Sequence, residues 1–284
     1  MIPGGSMSEF ITLDMIDEAV DAIKSLTEHE PKIGLILGSG LGELAESVKP
    51  ADHIHYSKIP NWPQSTIVGH KGRLVIGELE GQQVLIMQGR AHYYEGYPMT
   101  QVGFPVRVMI RLGIEVLVVT NAAGAVNPDF EPGDVMLIND HVSLIAMAGL
   151  NPLRGPNIDE FGERFPDMSQ QYNPELLKNA REVAKEEKIG VHEGVYICLA
   201  GPSFESPADL RFLRGIGVDA VGMSTVPEVI TAHHGGIKVL GMSGISNKAN
   251  LDGSTVTTHE EVLEAGKILV PKMDAIIRGV IRRL

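Results

Sequence analysis

Cysteine is nearly absent from this chain: Cys198 is the only one, and it lies inside the apolar run "VYICLA". One cysteine excludes a disulfide framework, and its setting suits a buried structural thiol better than a nucleophile. Basic residues are also few, with 24 Lys and Arg against 36 Asp and Glu and a net charge of −12. Nucleic-acid phosphates need a basic surface, so no nucleic-acid partner is expected. Any bound anion must instead be caught by a local cluster of donors. No apolar stretch approaches the length of a membrane span, and the N-terminus lacks a signal-peptide core. No membrane partner is expected, and the cytoplasm is the default location. "MIPGGS", residues 1–6, reads as an expression scar or disordered leader, which leaves residues 7–284 for one domain.

What is present alternates. Strand-like runs are "KIGLIL", "RLVIGEL", "QQVLIM", "EVLVVTNAAG", "DVMLIND", "GVYICLAG", "DAVGM" and "IKVLGMSGIS". Helical patterns stand between them: "DMIDEAVDAIKSL", with Ile16, Ala19, Val20 and Ile23 on one face, then "NPELLKNAREVAKEE", "SPADLRFLRGI", "VPEVITAHHGG" and "HEEVLEAGKILVPKMDAIIRGVIRRL". Ser206 can cap the third, with Pro207 at its first position. Pro271 should kink or interrupt the last. Such alternation predicts an α/β fold built on a central sheet. Residues 151–171 carry no clear period and predict a long ordered loop, a kind that is often functional.

Polar groups follow the ends of the strands, where open α/β sheets hold ligands. They occur in "GSGLG" (38–42), "QGRAHYYEGY" (88–97), "TNAAGAVN" (120–127), "AGPSFES" (200–206), "GMSTVPE" (222–228) and "GISNKAN" (244–250). The first offers backbone N–H groups and the Ser39 hydroxyl to an anion, although a plain glycine turn reads equally well. It is neither GxGxxG nor a Walker loop, which ranks a dinucleotide-binding dehydrogenase low. Arg90 adds a guanidinium fork suited to two phosphate oxygens, and His92 a further donor. Ser224 precedes a helix start at "VPEVI" and suits an anion too. Three separated donors favour one phosphate site.

Other chemistries are weaker. His233 and His234 are adjacent on a helix and diverge, so no metal is expected. Ser203 in "GPSFE" is not a nucleophile elbow. Glu205, beside a helix start, reads on its own as a charge facing the dipole.

Together "GSGLG", "GHKGRL", "MQGRAHYYEGY", "VTNAAGAVN", "NPLRGPN", "AGPSFESPADLRFL", "VGMSTVPEVI" and "SNKAN…HEEVLEAGK" resemble the trimeric purine nucleoside phosphorylases, in order from Ile33 to Lys267. The resemblance implies a single α/β domain with a mixed, distorted barrel-like sheet flanked by helices. It also implies a homotrimer. The implied reaction is reversible phosphorolysis of a purine nucleoside to free base and pentose 1-phosphate, a purine-salvage transferase step. No cofactor is implied; inorganic phosphate is a co-substrate. Carried over by position, Ser39, His70, Arg90, His92, Ser224 and the Ala122 N–H would bind phosphate. Tyr94 would reach the sugar 3′-hydroxyl, Tyr196 and Met223 would line the ribose pocket, and His259 would hold the 5′-hydroxyl. Phe204 would stack near the base, with Glu205 and Asn247 bonding its edge. Phe161 would close the sugar site of a neighbouring subunit. The implied catalytic set is Asn247, Glu205 and His92.

An ionised Glu205 only accepts, so it suits the N1–H of hypoxanthine and guanine and opposes the bare N1 of adenine. Inosine and guanosine, with their 2′-deoxy forms, are therefore the expected substrates. The resemblance to methylthioadenosine phosphorylase is weaker. That family's base site has Asp where this chain has Asn247, and its 5′ pocket is apolar where this chain has His259. A non-catalytic nucleoside- or phosphate-binding protein is the alternative from another class.

Overall fold

The computed structural model describes residues 10–38, 41–67, 70–249 and 259–284, the side chains of 259–263 excepted. Its strands are β1 (Ile33–Leu37), β2 (Ala51–His55), β3 (Arg73–Leu79), β4 (Gln82–Gln88), β5 (Val116–Ala125), β6 (Val135–Val142), β7 (Val191–Cys198), β8 (Ala220–Gly222) and β9 (Lys238–Lys248). Its helices are α1 (Leu13–Lys24), α2 (Met99–Val102), α3 (Phe104–Leu112), α4 (Leu144–Met147), α5 (Pro174–Glu186), α6 (Pro207–Gly215), α7 (Val226–His234) and α8 (His259–Ile281).

The strands form one mixed sheet in the order β2-β3-β4-β1-β5-β8-β7-β6-β9, and β9 pairs back onto β5. That last pairing closes β5, β8, β7, β6 and β9 into a distorted barrel, with β1 to β4 as a wing. Strand β5 runs parallel to β1 and β9 but antiparallel to β8. Every residue of β1 is buried, as expected of a continuous apolar run in a covered sheet. In α1, Thr12 accepts the Met15 N–H, and the buried face is Ile16, Ala19, Val20 and Ile23. Ser206 caps α6 in a reciprocal box with Asp209, with Pro207 in the first turn.

Several elements depart from the sequence reading, α2, α3 and α4 among them. Strand β2 was not anticipated, because only Ile54 of "ADHIH" is buried and an edge strand carries no apolar run. Pro271 does not interrupt α8, which continues through it to Ile281. The reason is packing: Leu269, Met273, Ile276, Ile277 and Val280 are buried, and a Cβ on Gly244 of β9 would meet Leu269 at 2.9 Å. Burial of that whole face outweighs the roughly 3 kcal/mol of an interior proline.

Residues 151–171 contain one short 3-10 turn and otherwise no regular structure. The His pair of α7 holds this loop: His233 Nε2 donates to the Asp167 carbonyl at 2.8 Å and His234 Nε2 to that of Glu163 at 3.0 Å. Among the described residues, no helix is long and apolar enough to cross a membrane.

Candidate active site

The site begins with a gap in strand pairing. On one side β5 pairs with β1 only as far as Val119, and with β8 only from Gly124. Residues 120–123 are therefore open between two neighbours, a switch point of the kind that holds ligands in α/β sheets. The sequence reading took "TNAAGAVN" (120–127) and "GISNKAN" (244–250) as polar strand ends; β5 runs to Ala125 and β9 to Lys248, so most of these residues lie within the strands. Because β8 is antiparallel to β5, the chain after Gly222 passes back along this gap. Ser224 and Thr225 are thereby delivered beside Asn121, rather than to a shared edge of strand ends.

Arg90 enters the gap from β4. Gly89 turns the chain at φ 101, and a Cβ there would lie 2.5 Å from the His70 Cβ, so only glycine admits the approach. Arg90 is 2% exposed. Its Nη1 donates to Glu228 Oε1 at 3.1 Å and to Thr225 Oγ1 at 3.3 Å, and its Nη2 donates to the Thr120 carbonyl. Its two other N–H groups take no partner among the described residues. Thr225 also accepts from Asn121 Nδ2 at 2.9 Å, while its backbone stands at φ 74. A β-branched residue in that region stores on the order of 1–3 kcal/mol, held here by the side chains it receives. Successive strand residues turn their N–H groups to opposite sides. The Ala122 N–H thus faces the side on which Thr120 meets Arg90.

A column of rings flanks the guanidinium. His70 stacks on His92 at 5.7 Å, and His92 on Tyr94 at 4.8 Å. Burial, then the neighbouring His92 and Arg90, push the His70 imidazole down to about 4, so it is neutral near pH 7. Burial and the Glu95 carboxylate push the Tyr94 phenol up to about 12. A narrow pocket lies alongside, lined by His92, Met223, Ser224, Glu228 and Cys198 among others. Burial, then Glu228, pushes the Cys198 thiol well up, which removes it as a nucleophile.

Across β5, Asn247 pairs with Gly124 past a bulge, and a Cβ on Gly124 would lie 3.3 Å from Asn247 Nδ2. Ser246 Oγ donates to Asn247 Oδ1 at 2.8 Å, which orients the amide. Gly201, at φ 62, brings the loop after β7 into contact: a Cβ there would meet Met223 Sδ at 2.4 Å and Tyr94 Cδ1 at 3.0 Å.

The geometry unites Arg90, His92, His70, Tyr94, Met223 and Ser224, with Asn247 across the β5 wall. Other positions differ from the sequence reading. Tyr196, expected to line the ribose pocket, is wholly enclosed, and its hydroxyl accepts the Ser224 N–H at 3.4 Å from beneath. Phe161, expected to reach a neighbouring subunit, is 5% exposed in its own core with the Arg107 guanidinium 5.6 Å from its ring. Phe165 of the same loop is the outward aromatic, at 86% exposure. Phe204 is exposed, and Glu205 is half-buried, with burial pushing its carboxyl up. No hydrogen bond among the described residues joins Glu205 to Asn247. Ser39 and the side chain of His259 lie outside the described residues.

Sequence reasoning missed Thr225 and Glu228, which hold Arg90, and Asn121, which holds Thr225. The only local signal was a glutamate in the first turn of an otherwise apolar helix, "VPEVI". His70 Nε2, Asn121 Oδ1 and Glu228 Oε2 are buried without partners among the described residues. Unpaired polar atoms gathered around one gap mark a site built for a polar ligand.

The family model described as the phosphorylase superfamily matches residues 32–282. Purine nucleoside phosphorylase 1 of Geobacillus stearothermophilus is 50% identical over 269 residues, covering 95% of this chain and 97% of its own. Purine nucleoside phosphorylase of Bos taurus is 49% identical over 275 residues, 95% of each chain. The solved structure of Schistosoma mansoni purine nucleoside phosphorylase in complex with inosine matches with a TM-score of 0.93 at 41% identity, covering 99% of both chains. The same protein in complex with adenosine gives 0.93 at 42%, covering 98% of this chain and 99% of that one. The chain belongs to the phosphorylase superfamily, among its purine nucleoside phosphorylases.

Proposed function

We propose that this protein is a purine nucleoside phosphorylase, a pentosyltransferase that reversibly converts inosine or guanosine, or their 2′-deoxy forms, and phosphate to free base and pentose 1-phosphate. The observation that carries the reading is the convergence of Arg90, His92 and Ser224 on the open stretch of β5, with Asn247 across it. In this reading phosphate sits in the gap against Arg90, His92, Ser224 and the Ala122 N–H, with His70 and Ser39 beside it. A phosphate oxygen forms a bond to the sugar C1′ as the bond to the purine N9 breaks and its electron pair leaves with the base. The sugar passes through an oxocarbenium-like state, which the adjacent phosphate charge stabilises. Asn247 donates to N7 of the leaving purine and offsets its growing charge; losing such a donor costs on the order of ~3 kcal/mol of barrier. No protein nucleophile and no organic cofactor takes part.

Tyr94 and Met223 contact the sugar, with His259 at its 5′ end; Tyr196 supports Ser224 from behind. Phe204 and Glu205 close on the base, with Glu205 accepting from N1–H. A site built around that bond discriminates by roughly 10⁴-fold or more against a base that cannot make it. Because a related enzyme is known in complex with adenosine, turnover rather than binding is the discriminating quantity. We assign the protein to purine salvage in the cytoplasm as a homotrimer, in which the exposed Phe165, and not Phe161, is the loop aromatic free to meet a neighbour.

The test is release of hypoxanthine from inosine with and without phosphate, beside adenosine and methylthioadenosine. Phosphate-dependent release from inosine, far above the other two, is expected. Release without phosphate, or adenosine turnover at comparable kcat/KM, overturns the reading.

A further inference from the structure

Apart from Tyr94, the second half of "QGRAHYYEGY" has so far no part in the chemistry, yet Glu95 makes four hydrogen-bond contacts beside the site. Its carboxylate is 2% exposed. Oε1 accepts the His92 backbone N–H at 2.7 Å and lies 3.0 Å from His92 Nδ1. Oε2 accepts the Thr66 backbone N–H at 2.5 Å and the Thr66 hydroxyl at 2.7 Å. The four contacts match the lone-pair capacity of a carboxylate. Since a carboxylate only accepts, His92 Nδ1 must carry a proton, and the bond selects the tautomer as well as the ring orientation.

The contacts close into a circuit. Ser65, next to Thr66, has its Oγ 3.0 Å from His70 Nδ1. His70 stacks on His92, and His92 returns to Glu95. Tyr97 braces the same segment: its hydroxyl accepts the Gln64 N–H at 3.0 Å and donates to the Gln64 carbonyl at 2.9 Å. Burial pushes the Glu95 carboxyl up, but the bonds from His92 and Thr66 outweigh it and hold it at about 2. The group is thus a permanent anion at neutral pH.

We propose that Glu95 is a positioning residue for the phosphorolysis, fixing His92 through one oxygen and the Ser65–Thr66 backbone that supports His70 through the other. The two imidazoles are thereby held in register at the phosphate site, with no contact from Glu95 to substrate. The proposal rests on the phosphorylase reading above.

The experiment compares wild type with Glu95→Gln, Glu95→Ala and Thr66→Val, measuring KM for phosphate, KM for inosine, kcat, and the ¹⁵N shifts of the His92 ring. Glu95→Gln should raise phosphate KM at least tenfold with inosine KM within threefold. Thr66→Val, which removes a single bond and leaves Glu95 intact, should raise phosphate KM two- to fivefold. The His92 ring should carry its Nδ1 proton in wild type and lose that preference in Glu95→Ala. Equal rises in both KM values, or an unchanged tautomer, overturn the proposal. If the Glu95 variants fail to fold, the KM split in Thr66→Val decides by itself. A wild type that releases no base with phosphate sinks the phosphorylase reading, while the ring shifts still report whether Glu95 sets the imidazole.

Discussion

Glu228→Gln isolates what the buried ion pair beneath the site does. Arg90 and Glu228 meet at 3.1 Å with their side chains 3% and 4% exposed. Removing one charge from a buried pair leaves the other uncompensated, at about 3–5 kcal/mol. Glutamine keeps the shape and still offers Arg90 a carbonyl, so the low end, about 3 kcal/mol, applies. For a chain of this length each kcal/mol moves Tm by roughly 2–4 °C, so about 6–12 °C should be lost in phosphate-free buffer. Phosphate bound at Arg90 would supply the missing negative charge. It should then bind the variant more tightly than wild type, and a tenfold gain is about 1.4 kcal/mol. Saturating phosphate should therefore raise Tm of the variant by roughly 3–5 °C more than it raises that of wild type. Thermal unfolding followed by circular dichroism at neutral pH, with and without phosphate, measures both shifts. A loss under about 2 °C without phosphate, or a phosphate shift no larger than in wild type, refutes the reasoning.

Phe161→Ala should destabilise the protein by about 3–5 kcal/mol as a core cavity, whereas Phe165→Ala should stay within about 0.5 kcal/mol; urea unfolding separates them, and equal effects would remove the distinction. Burial pushes both His70 and His141 down to about 4. Between about pH 6.5 and 4 the unfolded chain binds protons that the folded chain refuses, so stability falls on acidification, by about 2 kcal/mol for each at pH 5. A urea midpoint unchanged from pH 7 to 5 would contradict this. Gly201→Ala would place a methyl 2.4 Å from Met223 Sδ and 3.0 Å from Tyr94 at φ 62. It should lower kcat/KM for inosine at least tenfold with phosphate KM within threefold, and steady-state kinetics in both substrates checks it.

Several features were legible before any coordinates. The eight apolar runs quoted from the sequence became β1 and β3 to β9, because strands covered on both faces must be apolar throughout. The start of α6 was equally plain, since a capping Ser206 and a first-turn Pro207 act on backbone groups close by. Strand β2 was not, because an edge strand with one buried side chain has no signature. The loop aromatics were exchanged for a similar reason: no local pattern separates Phe161 from Phe165, and packing of the loop against the core buries the first and leaves the second exposed.

The amino-acid sequence by itself determined the segments with a marked apolar pattern or a capped start, and the short polar stretches that follow them, because periodicity and capping are local. Tertiary structure alone decided that β9 closes on β5, that β8 returns antiparallel along the gap at 120–123, and that Arg90 is held by Glu228, 138 residues away. Those outcomes depend on which backbone edges and buried charges find partners across the fold, and no local pattern carries that choice.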